Sequence, residues 1–414
     1  MPGDKSISHR AVLFAALARG TTGVRNCNAG ADVRSSIHAL RMLGVAVEGD
    51  APSVRVEGAL ELSDPRSAVD CGNSGTSMRL LMGMLAGRVN AELDGDASLR
   101  RRPMERVATP LRAMGADVEC AAGGLPPVRI ARNDEPLHGI RVELPIDSAQ
   151  VKTALLLAGL RASGETTVLG AGVSRDHSEL MLRAMGADIA VDAGGVRIRP
   201  SQLRALDEYE VPGDLSAAAY FVAAATCSPG SRISIRDTGI NPTRAHVLDV
   251  LRDMGAHIGI RALRERHGEP SADIEVVSAS PLRGVELDPE RIPNVIDDIP
   301  LLCAVAASAT GTFVVRGAAE LRLKESDRIT STVALLRAFG VAVAELPDGI
   351  SVRGGRPLRP PERIDTGGDH RIGMTAAVLA AAAHAPIIID DADCITTSYP
   401  GFDGAWRAAL ARES

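Results

Sequence analysis

The sequence Leu-Arg-Ala-Met-Gly-Ala occurs at residues 111–116 and again at 182–187, and close variants of it begin at Leu40, Leu251 and Leu336. The five copies lie about 70 residues apart. Each copy ends an apolar stretch of helical spacing at a glycine, which suits the left-handed position after many helices. An alternating stretch typical of a strand follows each glycine. The sequence therefore predicts a repeated unit of strand, helix, turn and strand.

A second duplication divides the sequence into halves. Pro-Gly-Asp-Lys-Ser at residues 2–6 recurs as Pro-Gly-Asp-Leu-Ser at 212–216, and each copy opens an alanine-rich helical stretch. Three repeats follow each copy, and we expect the last one, with a helix near residues 406–412, to be cut short by the end of the chain. Ser6 and Ser216 are expected near helix starts, where a hydroxyl either caps free amides or helps them to hold an anion. Capping is the simpler interpretation, above all for Ser216.

The length of 414 residues also favours two domains, because a single hydrophobic core usually stops growing at about 250–300 residues. We predict an α/β fold of two homologous domains with three βαβ-like units each. The first domain is expected at residues 4–212 and the second at 213–414, joined by residues 1–3. The cleft between two such domains is the natural ligand site.

Composition excludes several classes of function. The net charge of −6 shows no basic excess of the kind that nucleic-acid binding leaves, and aromatic residues make up only 2%. No apolar stretch reaches the length of about 20 residues that crosses a bilayer, and the first residues lack the apolar core of a signal peptide. The six cysteines are scattered without metal-ligand spacing. A protein of the reducing cytoplasm is the interpretation that fits best.

Lysine is rare in this chain, and its few positions are informative. Only Lys5, Lys152 and Lys324 occur, while arginine fills the other basic positions. Arginine is a permanently charged planar fork, whereas lysine is a compact charge whose pKa can move enough for proton transfer. A site that needs a movable proton cannot accept arginine, so the three lysines are candidates for chemistry. The alternative for each lysine is that it occupies its position by chance.

Cations and small polar residues gather at several predicted helix starts, where free backbone amides attract anions. In residues 2–10, a turn-forming Pro-Gly-Asp is followed by Lys5, Ser6 and Arg10. Residues 71–79 offer small side chains, so that backbone can approach a ligand closely.

Three further segments extend this pattern. Ser148 and Gln150 precede a strongly apolar helical stretch, although capping explains Ser148 almost equally well. His370 and Arg371 follow a Gly-Gly turn at the head of an alanine-rich stretch. Four arginines crowd around Pro103, and they either meet an anion or form a charged surface run. These arginines are Arg100, Arg101, Arg102 and Arg106.

Two segments supply carboxylates for acid–base chemistry. Asp297 and Asp298 precede a stretch that is apolar on all sides, where a partly desolvated carboxylate with a raised pKa can act as a base. One of the two is expected to be an ordinary cap. Residues 323–329 contain Lys324, Glu325 and Arg328, with the two cations expected on one face of a helix. A simple ion-paired helix is the alternative for this segment.

In order and spacing, these motifs resemble the 3-phosphoshikimate 1-carboxyvinyltransferase (EPSP synthase) family of enolpyruvyl transferases. The resemblance runs nearly from end to end, and it is carried by PGDKSISHR, GNSGTSMR, RRPMERV, SAQVKTALLLAGL, NPTR, KESDRI and DHRIGM. It implies two inverse α/β domains, each with three βαβαββ units around parallel helices. It also implies an enzyme without metal or organic cofactor, whose partners are phosphoenolpyruvate and shikimate 3-phosphate. The enzyme is expected to be a cytoplasmic monomer that contacts neither nucleic acid nor membrane.

The resemblance also implies roles for particular residues. Shikimate 3-phosphate would be held by Lys5, Ser6, Arg10, Ser148, Ala149, Gln150, Arg175, Asp297 and Lys324. Phosphoenolpyruvate would contact Lys5, Gly75, Arg102, Gln150, Arg328 and Arg371. Family chemistry is addition followed by elimination, with Asp297 as the candidate base for the 5-hydroxyl of the acceptor. Glu325 and Lys5 would handle the proton at C3 of phosphoenolpyruvate, whereas Lys152 is interpreted as structural.

Two departures from the family pattern stand out. Family members have a further strand ahead of Pro-Gly-Asp-Lys-Ser, and we expect a misassigned translation start to explain its absence here. Some relatives also carry a lysine where this chain has Ser398, which removes one expected contact to phosphoenolpyruvate.

Two other functions are weighed against this one. The sister enolpyruvyl transferase that acts on UDP-N-acetylglucosamine typically has a cysteine near the arginine cluster, and residues 95–110 contain none. A non-catalytic paralogue that only binds anions would have no reason to keep Lys5, Asp297, Lys324 and Glu325 together.

Overall fold

The structure is a computed structural model that describes residues 1–59, 61–145, 148–170, 174–192, 195–278 and 281–411. The chain divides into two compact units. The N-terminal unit contains residues 3–211 and 265–269, and the C-terminal unit contains residues 1–2, 212–264 and 270–414. No helix in the described ranges combines the length and the apolar character that a membrane crossing requires.

The described part of the N-terminal unit contains six α-helices and twelve strands. The helices are α1 (Lys5–Ala15), α2 (Ala31–Met42), α3 (Gly75–Leu85), α4 (Glu105–Ala113), α5 (Ala149–Gly159) and α6 (His177–Ala184). The strands are β1 (Thr21–Arg25), β2 (Ala46–Asp50), β3 (Ser53–Glu57), β4 (Val69–Asp70), β5 (Ala91–Asp94), β6 (Asp117–Ala121), β7 (Leu125–Ala131), β8 (Arg141–Glu143), β9 (Thr166–Leu169), β10 (Ile189–Asp192), β11 (Gly195–Ile198) and β12 (Glu208–Glu210).

The strands of this unit repeat one topology three times. Within the described residues the sheet orders are β12-β1-β3-β2, β4-β5-β7-β6 and β10-β11-β9-β8. In each sheet a parallel pair (β12 with β1, β4 with β5, β8 with β9) is extended by antiparallel strands, which follow the second helix of the repeat as a hairpin. Each repeat thus has the order β-α-β-α-β-β. In the first repeat the initial strand is β12, which comes from the end of the N-terminal unit's sequence.

The two helices of each repeat differ in burial because they differ in sequence. The first helices, α1, α3 and α5, are apolar beyond their first two turns and are buried on nearly all sides. The second helices, α2, α4 and α6, bury only one face. Helices α3 and α5 approach closely where Gly83 faces Ala154, since a Cβ at Gly83 would lie only 2.1 Å from the carbonyl oxygen of Ala154.

The C-terminal unit uses the same plan. Its described α-helices are α7 (Leu215–Cys227), α8 (His246–Asp253), α9 (Ile292–Val295), α10 (Ile299–Ser308), α11 (Arg328–Ala338), α12 (His370–Ala382) and α13 (Phe402–Leu410). Its described strands are β13 (Arg232–Gly239), β14 (His257–Arg266), β15 (Glu269–Val277), β16 (Thr312–Val315), β17 (Ala342–Leu346), β18 (Gly349–Arg353), β19 (Arg363–Ile364) and β20 (Ile388–Ile389). They form the sheets β13-β15-β14, β16-β18-β17 and β19-β20.

The core of the C-terminal unit again consists of alanine-rich helices. Helices α7, α10 and α12 are buried along almost their whole length. Aromatic residues close one side of this core, where the ring of Phe221 packs against the rings of Tyr399, Phe402 and Trp406 with centroids 5.2–6.2 Å apart. Helix α13 carries two of these rings, those of Phe402 and Trp406, and buries them.

The predicted α/β fold and its repeat are confirmed. The glycine of every copy lies just after an outer helix with positive φ, as a left-handed cap requires: Gly44, Gly115, Gly186, Gly255 and Gly340, at +74° to +105°. The predicted sixth helix is α13, although residue 412 of that prediction lies outside the described residues. The tip of the β14-β15 hairpin, residues 265–269, belongs to the N-terminal unit, and no sequence pattern indicates this.

Candidate active site

The starts of α1, α3 and α5 gather at one end of the N-terminal unit. The side-chain amide of Gln150 in α5 donates to Oγ1 of Thr76 in α3 at 2.9 Å. Arg10 in α1 donates to Oγ1 of Thr153 in α5 at 3.0 Å. The first turns of α3 and α5 therefore lie together, with the second turn of α1 beside α5, and the N-termini of helices are the positive ends of their dipoles. This arrangement suits a bound anion.

Lys5 is the first residue of α1. Its Nζ lies 2.9 Å from Oδ2 of Asp32, and its side chain keeps 20% of its surface exposed. The cap of this helix is Asp4, whose side chain accepts a hydrogen bond from the amide of Ile7 at 2.8 Å. Capping by Ser6, the simpler interpretation from the sequence, is therefore wrong. Ser6 instead offers its carbonyl oxygen to Arg10 at 2.9 Å.

Arg10 is buried beside this helix start. Its Nε donates to Oγ of Ser178 at 2.7 Å, and that hydroxyl shares a hydrogen bond with Thr153 at 2.6 Å. Burial lowers the pKa of Arg10 to about 10, the carboxylate of Glu179 opposes this, and the guanidinium of Arg175 adds to the lowering. The structure thus brings Arg10 and Arg175 near enough to repel each other, a repulsion that a bound anion relieves.

Gly75 lies between two arginines at the start of α3. A Cβ at this position would lie 3.0 Å from Arg79 and 3.3 Å from Arg102, measured to the NH1 atom of each guanidinium. Arg79 donates to the amide oxygen of Gln150 at 2.5 Å, and Arg102 donates to the side-chain oxygen of Asn73 at 2.6 Å.

The other cations of the arginine cluster differ from Arg102. Arg100 is exposed and forms an ion pair with Asp94, so the surface interpretation holds for it. Arg100 and Arg101 belong to a 3-10 helix at Leu99–Arg101, which ends at Arg102. This turn brings the side chain of Arg102 to Gly75.

Helix α5 begins beside the arginines. Ser148 occupies the cap position, and its hydroxyl accepts from the amide of Val151 at 3.4 Å, so the capping role considered for it is confirmed. Ala149 and Gln150 form the first turn, and Gln150 bridges Arg79 and Thr76.

In the C-terminal unit, Asp298 is fully buried at the start of α10. Its Oδ1 accepts from Arg371 at 2.9 Å and from the hydroxyl of Ser216 at 3.3 Å, and its Oδ2 accepts from Arg244 at 3.3 Å. Although Asp298 occupies the cap position of α10, its side chain makes no capping bond, so the expectation of an ordinary cap is wrong for it. The capping role preferred for Ser216 is wrong as well, because Asp214 caps α7.

Asp297 lies next to two cations. Its Oδ1 is 3.3 Å from Nζ of Lys324 and 3.2 Å from a guanidinium nitrogen of Arg328, and 16% of its side chain is exposed. Lys324 and Arg328 do not share a helical face as predicted, because α11 begins only at Arg328, after the cap residue Asp327. Lys324 is in extended backbone, and tertiary structure brings both cations to Asp297. The raised pKa expected for Asp297 stays a prediction.

Arg328 is the centre of this second cluster. Besides Asp297, its guanidinium forms ion pairs with Glu325 and, at 2.8 Å, with the buried Asp369. Burial alone would lower the pKa of Arg328, but Asp369, Glu325 and Asp297 together raise it above its ordinary value. The charge of Arg328 is therefore fixed, and it orients Asp297 and Glu325.

Arg371, in the first turn of α12, is bound by backbone as well as side chains. It donates to the carbonyl oxygen of Asp297 at 2.7 Å and to Ser216 at 3.2 Å. His370, the first residue of α12, is buried. The structure thus groups the predicted residues into two sets, one in each unit.

Several residues of these clusters were missed by sequence reasoning. Asp32, Thr153, Ser178 and Asp369 contact predicted site residues from other elements. Arg244, Thr153 and Asp369 had a signal, because they lie in the NPTR, SAQVKTALLLAGL and DHRIGM motifs that carry the family resemblance, whereas Asp32 and Ser178 lie in none of these motifs.

Comparisons with known proteins agree with this architecture. The fold is that of the enolpyruvyl transferases: it superposes with a TM-score of 0.78 on the enolpyruvyl transferase NikO from Streptomyces tendae, at 19% identity, over 98% of this chain and 93% of that one. An EPSP synthase structure from Acinetobacter baumannii gives a TM-score of 0.87 at 40% identity, covering 99% of this chain and 94% of the other.

Relatives in sequence identify one family within the enolpyruvyl transferases. A 3-phosphoshikimate 1-carboxyvinyltransferase from Geotalea uraniireducens (strain Rf4) is 46% identical over 97% of this chain and 94% of its own length. One from Alkaliphilus metalliredigens (strain QYMF) is 44% identical over 99% and 96%. The profile of the EPSP synthase (3-phosphoshikimate 1-carboxyvinyltransferase) family matches residues 1–406. The chain belongs to this family, and its reaction is enolpyruvyl transfer from phosphoenolpyruvate to shikimate 3-phosphate in the shikimate pathway, as the motifs predict.

Proposed function

We propose that the cluster of the N-terminal unit supplies most of the charge that binds the two anionic substrates, and that the cluster of the C-terminal unit supplies most of the acid–base chemistry. In this assignment shikimate 3-phosphate contacts Lys5, Ser6, Arg10, Ser148, Ala149, Gln150, Arg175, Asp297 and Lys324. Phosphoenolpyruvate contacts Lys5, Gly75, Arg102, Gln150, Arg328 and Arg371.

The distribution of charge supports this division. In the C-terminal cluster the carboxylates of Asp297, Asp298, Glu325 and Asp369 are paired with Lys324, Arg328, Arg244 and Arg371. In the N-terminal cluster the contacts of Arg79 and Arg102 include neutral amides, and Arg10 and Arg175 repel each other. The helix dipoles add positive potential at the same place. This concentration of cations at helix N-termini supports anion binding by the N-terminal unit.

The proposed chemistry is an addition followed by an elimination. The oxygen of the 5-hydroxyl attacks C2 of phosphoenolpyruvate and loses its proton to a base, while C3 takes up a proton from an acid. In the resulting tetrahedral intermediate, the bond from C2 to the phosphate oxygen breaks and C3 gives up a proton, which restores the double bond. The sum is one enolpyruvyl ether and one inorganic phosphate, with no change in oxidation state.

Three partly exposed groups fit the proton transfers. Asp297 is the base for the hydroxyl, because Lys324 and Arg328 hold its carboxylate in place while part of its side chain stays open to a ligand. Glu325, held by Arg328, and Lys5, held by Asp32, are the partners for the proton at C3. The contact of Asp297 with two cations is the observation that carries this assignment, since a base must be both ionised and oriented.

In this assignment Arg328 and Arg371 bind protein carboxylates with some of their N–H groups and phosphoenolpyruvate with others. A guanidinium offers five N–H groups in a fixed fork, so donors remain for a ligand beside the carboxylate contacts. Both arginines are held in place by carboxylates, and they can therefore receive the substrate without reorganising.

A phosphate-release assay tests the assignment. We expect release only when phosphoenolpyruvate and shikimate 3-phosphate are both present, and none when UDP-N-acetylglucosamine replaces the acceptor. The Asp297→Asn variant should lower kcat by about 10²–10⁴-fold, the usual contribution of a general base, with smaller changes in either KM. Asp403→Asn, which alters an exposed carboxylate paired with Arg407, is the matched control and should be fully active. Normal turnover by Asp297→Asn would remove Asp297 from the chemistry.

We also propose that the enzyme works as a monomer in the cytoplasm. Each unit has its own continuous hydrophobic core, and a reduced compartment agrees with six free cysteines. Light scattering at enzyme concentrations used for the assay tests the oligomeric state.

A further inference from the structure

A fully buried ion pair joins α5 to α6 in the N-terminal unit. Nζ of Lys152 lies 2.5 Å from Oε1 of Glu179, and the two side chains are only 1% and 2% exposed. Removing two charges from water is so unfavourable that apolar residues of similar volume are often at least as stabilising. Stability alone is therefore a weak reason for this pair, and the atoms that it holds are more informative.

On the side of α6, the pair fixes the short segment that carries Arg175. Nζ of Lys152 also donates to the carbonyl oxygen of Ser174 at 3.3 Å, directly before Arg175. Glu179 follows Ser178, whose hydroxyl accepts from Arg10 at 2.7 Å. Lys152 thus contacts residues on both sides of Arg175.

The opposite side of the same segment is fixed as well. Nδ1 of His177 lies 3.0 Å from Oε2 of Glu269, and both side chains are buried. Glu269 belongs to the hairpin tip that is part of this unit. Arg175 is therefore presented from a segment that is fastened at three of its neighbours: Ser174, His177 and Glu179.

On the side of α5, Lys152 lies within one turn of Ser148, Ala149 and Gln150. Gln150 has supports of its own, because Thr76 and Arg79 hold its amide. A change at Lys152 should therefore move Arg175 and Ser178 relative to the start of α5 and disturb Gln150 much less.

We propose that Lys152 and Glu179 are positioning residues for shikimate 3-phosphate, setting the distance between the Arg10–Arg175 pair and the start of α5. The proposal rests on the proposed function, in which those groups bind this substrate. Neither residue of the pair touches the substrate. Their loss should weaken the binding of shikimate 3-phosphate while the binding of phosphoenolpyruvate changes little.

The test compares single and double apolar variants in the intact enzyme. Lys152→Met and Glu179→Leu each leave one buried charge without its partner, so both should lower the urea midpoint of unfolding. The double variant should recover most of that midpoint because neither charge of the Lys152–Glu179 pair remains. If the pair positions the binding site, KM for shikimate 3-phosphate should nevertheless stay raised by about tenfold or more in the double variant, with KM for phosphoenolpyruvate within about twofold of wild type.

Two controls separate the possible failures. Replacing the exposed pair Arg129 and Glu92 by Met and Leu should leave both KM values unchanged. Arg175→Gln should raise KM for shikimate 3-phosphate; a normal value would overturn the proposed binding role and the positioning role together. A raised KM in Arg175→Gln with a normal KM in the double variant would overturn the positioning role alone. Because KM does not depend on the amount of folded enzyme, the comparison stands even if a variant is partly unfolded.

Discussion

The close approach of α3 to α5 at Gly83 should make this position intolerant of a single methyl group. A Cβ there would lie 2.1 Å from the carbonyl oxygen of Ala154 and 2.5 Å from its Cα. Non-bonded carbon atoms normally stay about 3.5–4.0 Å apart, so the Gly83→Ala variant must move the two helices apart by roughly 1 Å. The obstacle is backbone in a buried helix, which cannot turn away as a side chain could.

The expected magnitude follows from two opposing terms. Overpacking of a core costs about 1–3 kcal/mol, and a backbone clash belongs at the upper end of that range. Alanine in place of glycine favours a helix by about 1 kcal/mol, which leaves a net loss of about 2 kcal/mol. For a unit of this size each 1 kcal/mol lowers the melting temperature by about 2–4 °C, so we expect a fall of roughly 4–8 °C.

The chain provides a matched control for this substitution. Gly404 lies inside α13, and a Cβ there would meet no atom within 4 Å. The Gly404→Ala variant should therefore gain about 0.5–1 kcal/mol, opposite in sign to Gly83→Ala. Scanning calorimetry measures both. Moving α3 away from α5 should also weaken the contact between Arg79 and Gln150 and raise KM for phosphoenolpyruvate. A Gly83→Ala protein that melts at or above the wild-type temperature would refute the argument.

Three further predictions concern the clusters themselves. The Lys5→Arg variant should keep its fold, as measured by circular dichroism, and its kcat should fall by about 10²–10⁴-fold. Arginine keeps the positive charge but does not release a proton near neutral pH, so wild-type turnover would contradict this prediction. The Gly75→Ala variant should raise KM for phosphoenolpyruvate by about tenfold, since the new methyl group would press on the guanidinium of Arg102. An unchanged KM in steady-state assays would argue against the contact between Arg102 and phosphoenolpyruvate. Burial alone would raise the pKa of Asp369, but Arg328 lowers it below its ordinary value. The stability from this carboxylate is thus complete above the ordinary carboxyl pKa of about 3.9 and is lost as pH falls towards its lower folded-state value, so urea midpoints should decline below about pH 4. Asp369→Asn should flatten that decline, and an identical decline in the variant would contradict the assignment.

Local patterns in the sequence were sufficient to predict the repeat. Each Leu-Arg-x-x-Gly copy ends an outer helix and starts a hairpin, because a glycine with positive φ and an alternating strand leave strong local signals. The first residue of a helix is harder to predict from the sequence where it depends on a single capping residue. Lys324 was assigned to a helix, but Asp327 accepts the amide of Thr330 and starts α11 later.

The contacts of the candidate site could be predicted only in part. The lysine count singled out Lys5 and Lys324, and the structure gives each a carboxylate partner. The identity of those partners has no local signal, since Asp32 is 27 residues from Lys5. Lys152 is interpreted as structural from its place in the helix that follows Ser148–Gln150, and its partner Glu179 has no local signal either, since it lies on α6.

The duplication explains how one scaffold produces two different charge environments. Both units begin their first buried helix with the same Pro-Gly-Asp turn, and an aspartate caps each helix. At the next position one unit has Lys5 and the other Leu215. Five residues further on, Arg10 corresponds to Tyr220, whose pKa burial raises to about 12, so that it stays neutral beside Arg371. The start of α7 therefore lacks the two cations, Lys5 and Arg10, that the start of α1 carries. Substitutions at corresponding positions of a duplicated helix start can thus give two homologous units different charges, which is what the proposed division of roles requires.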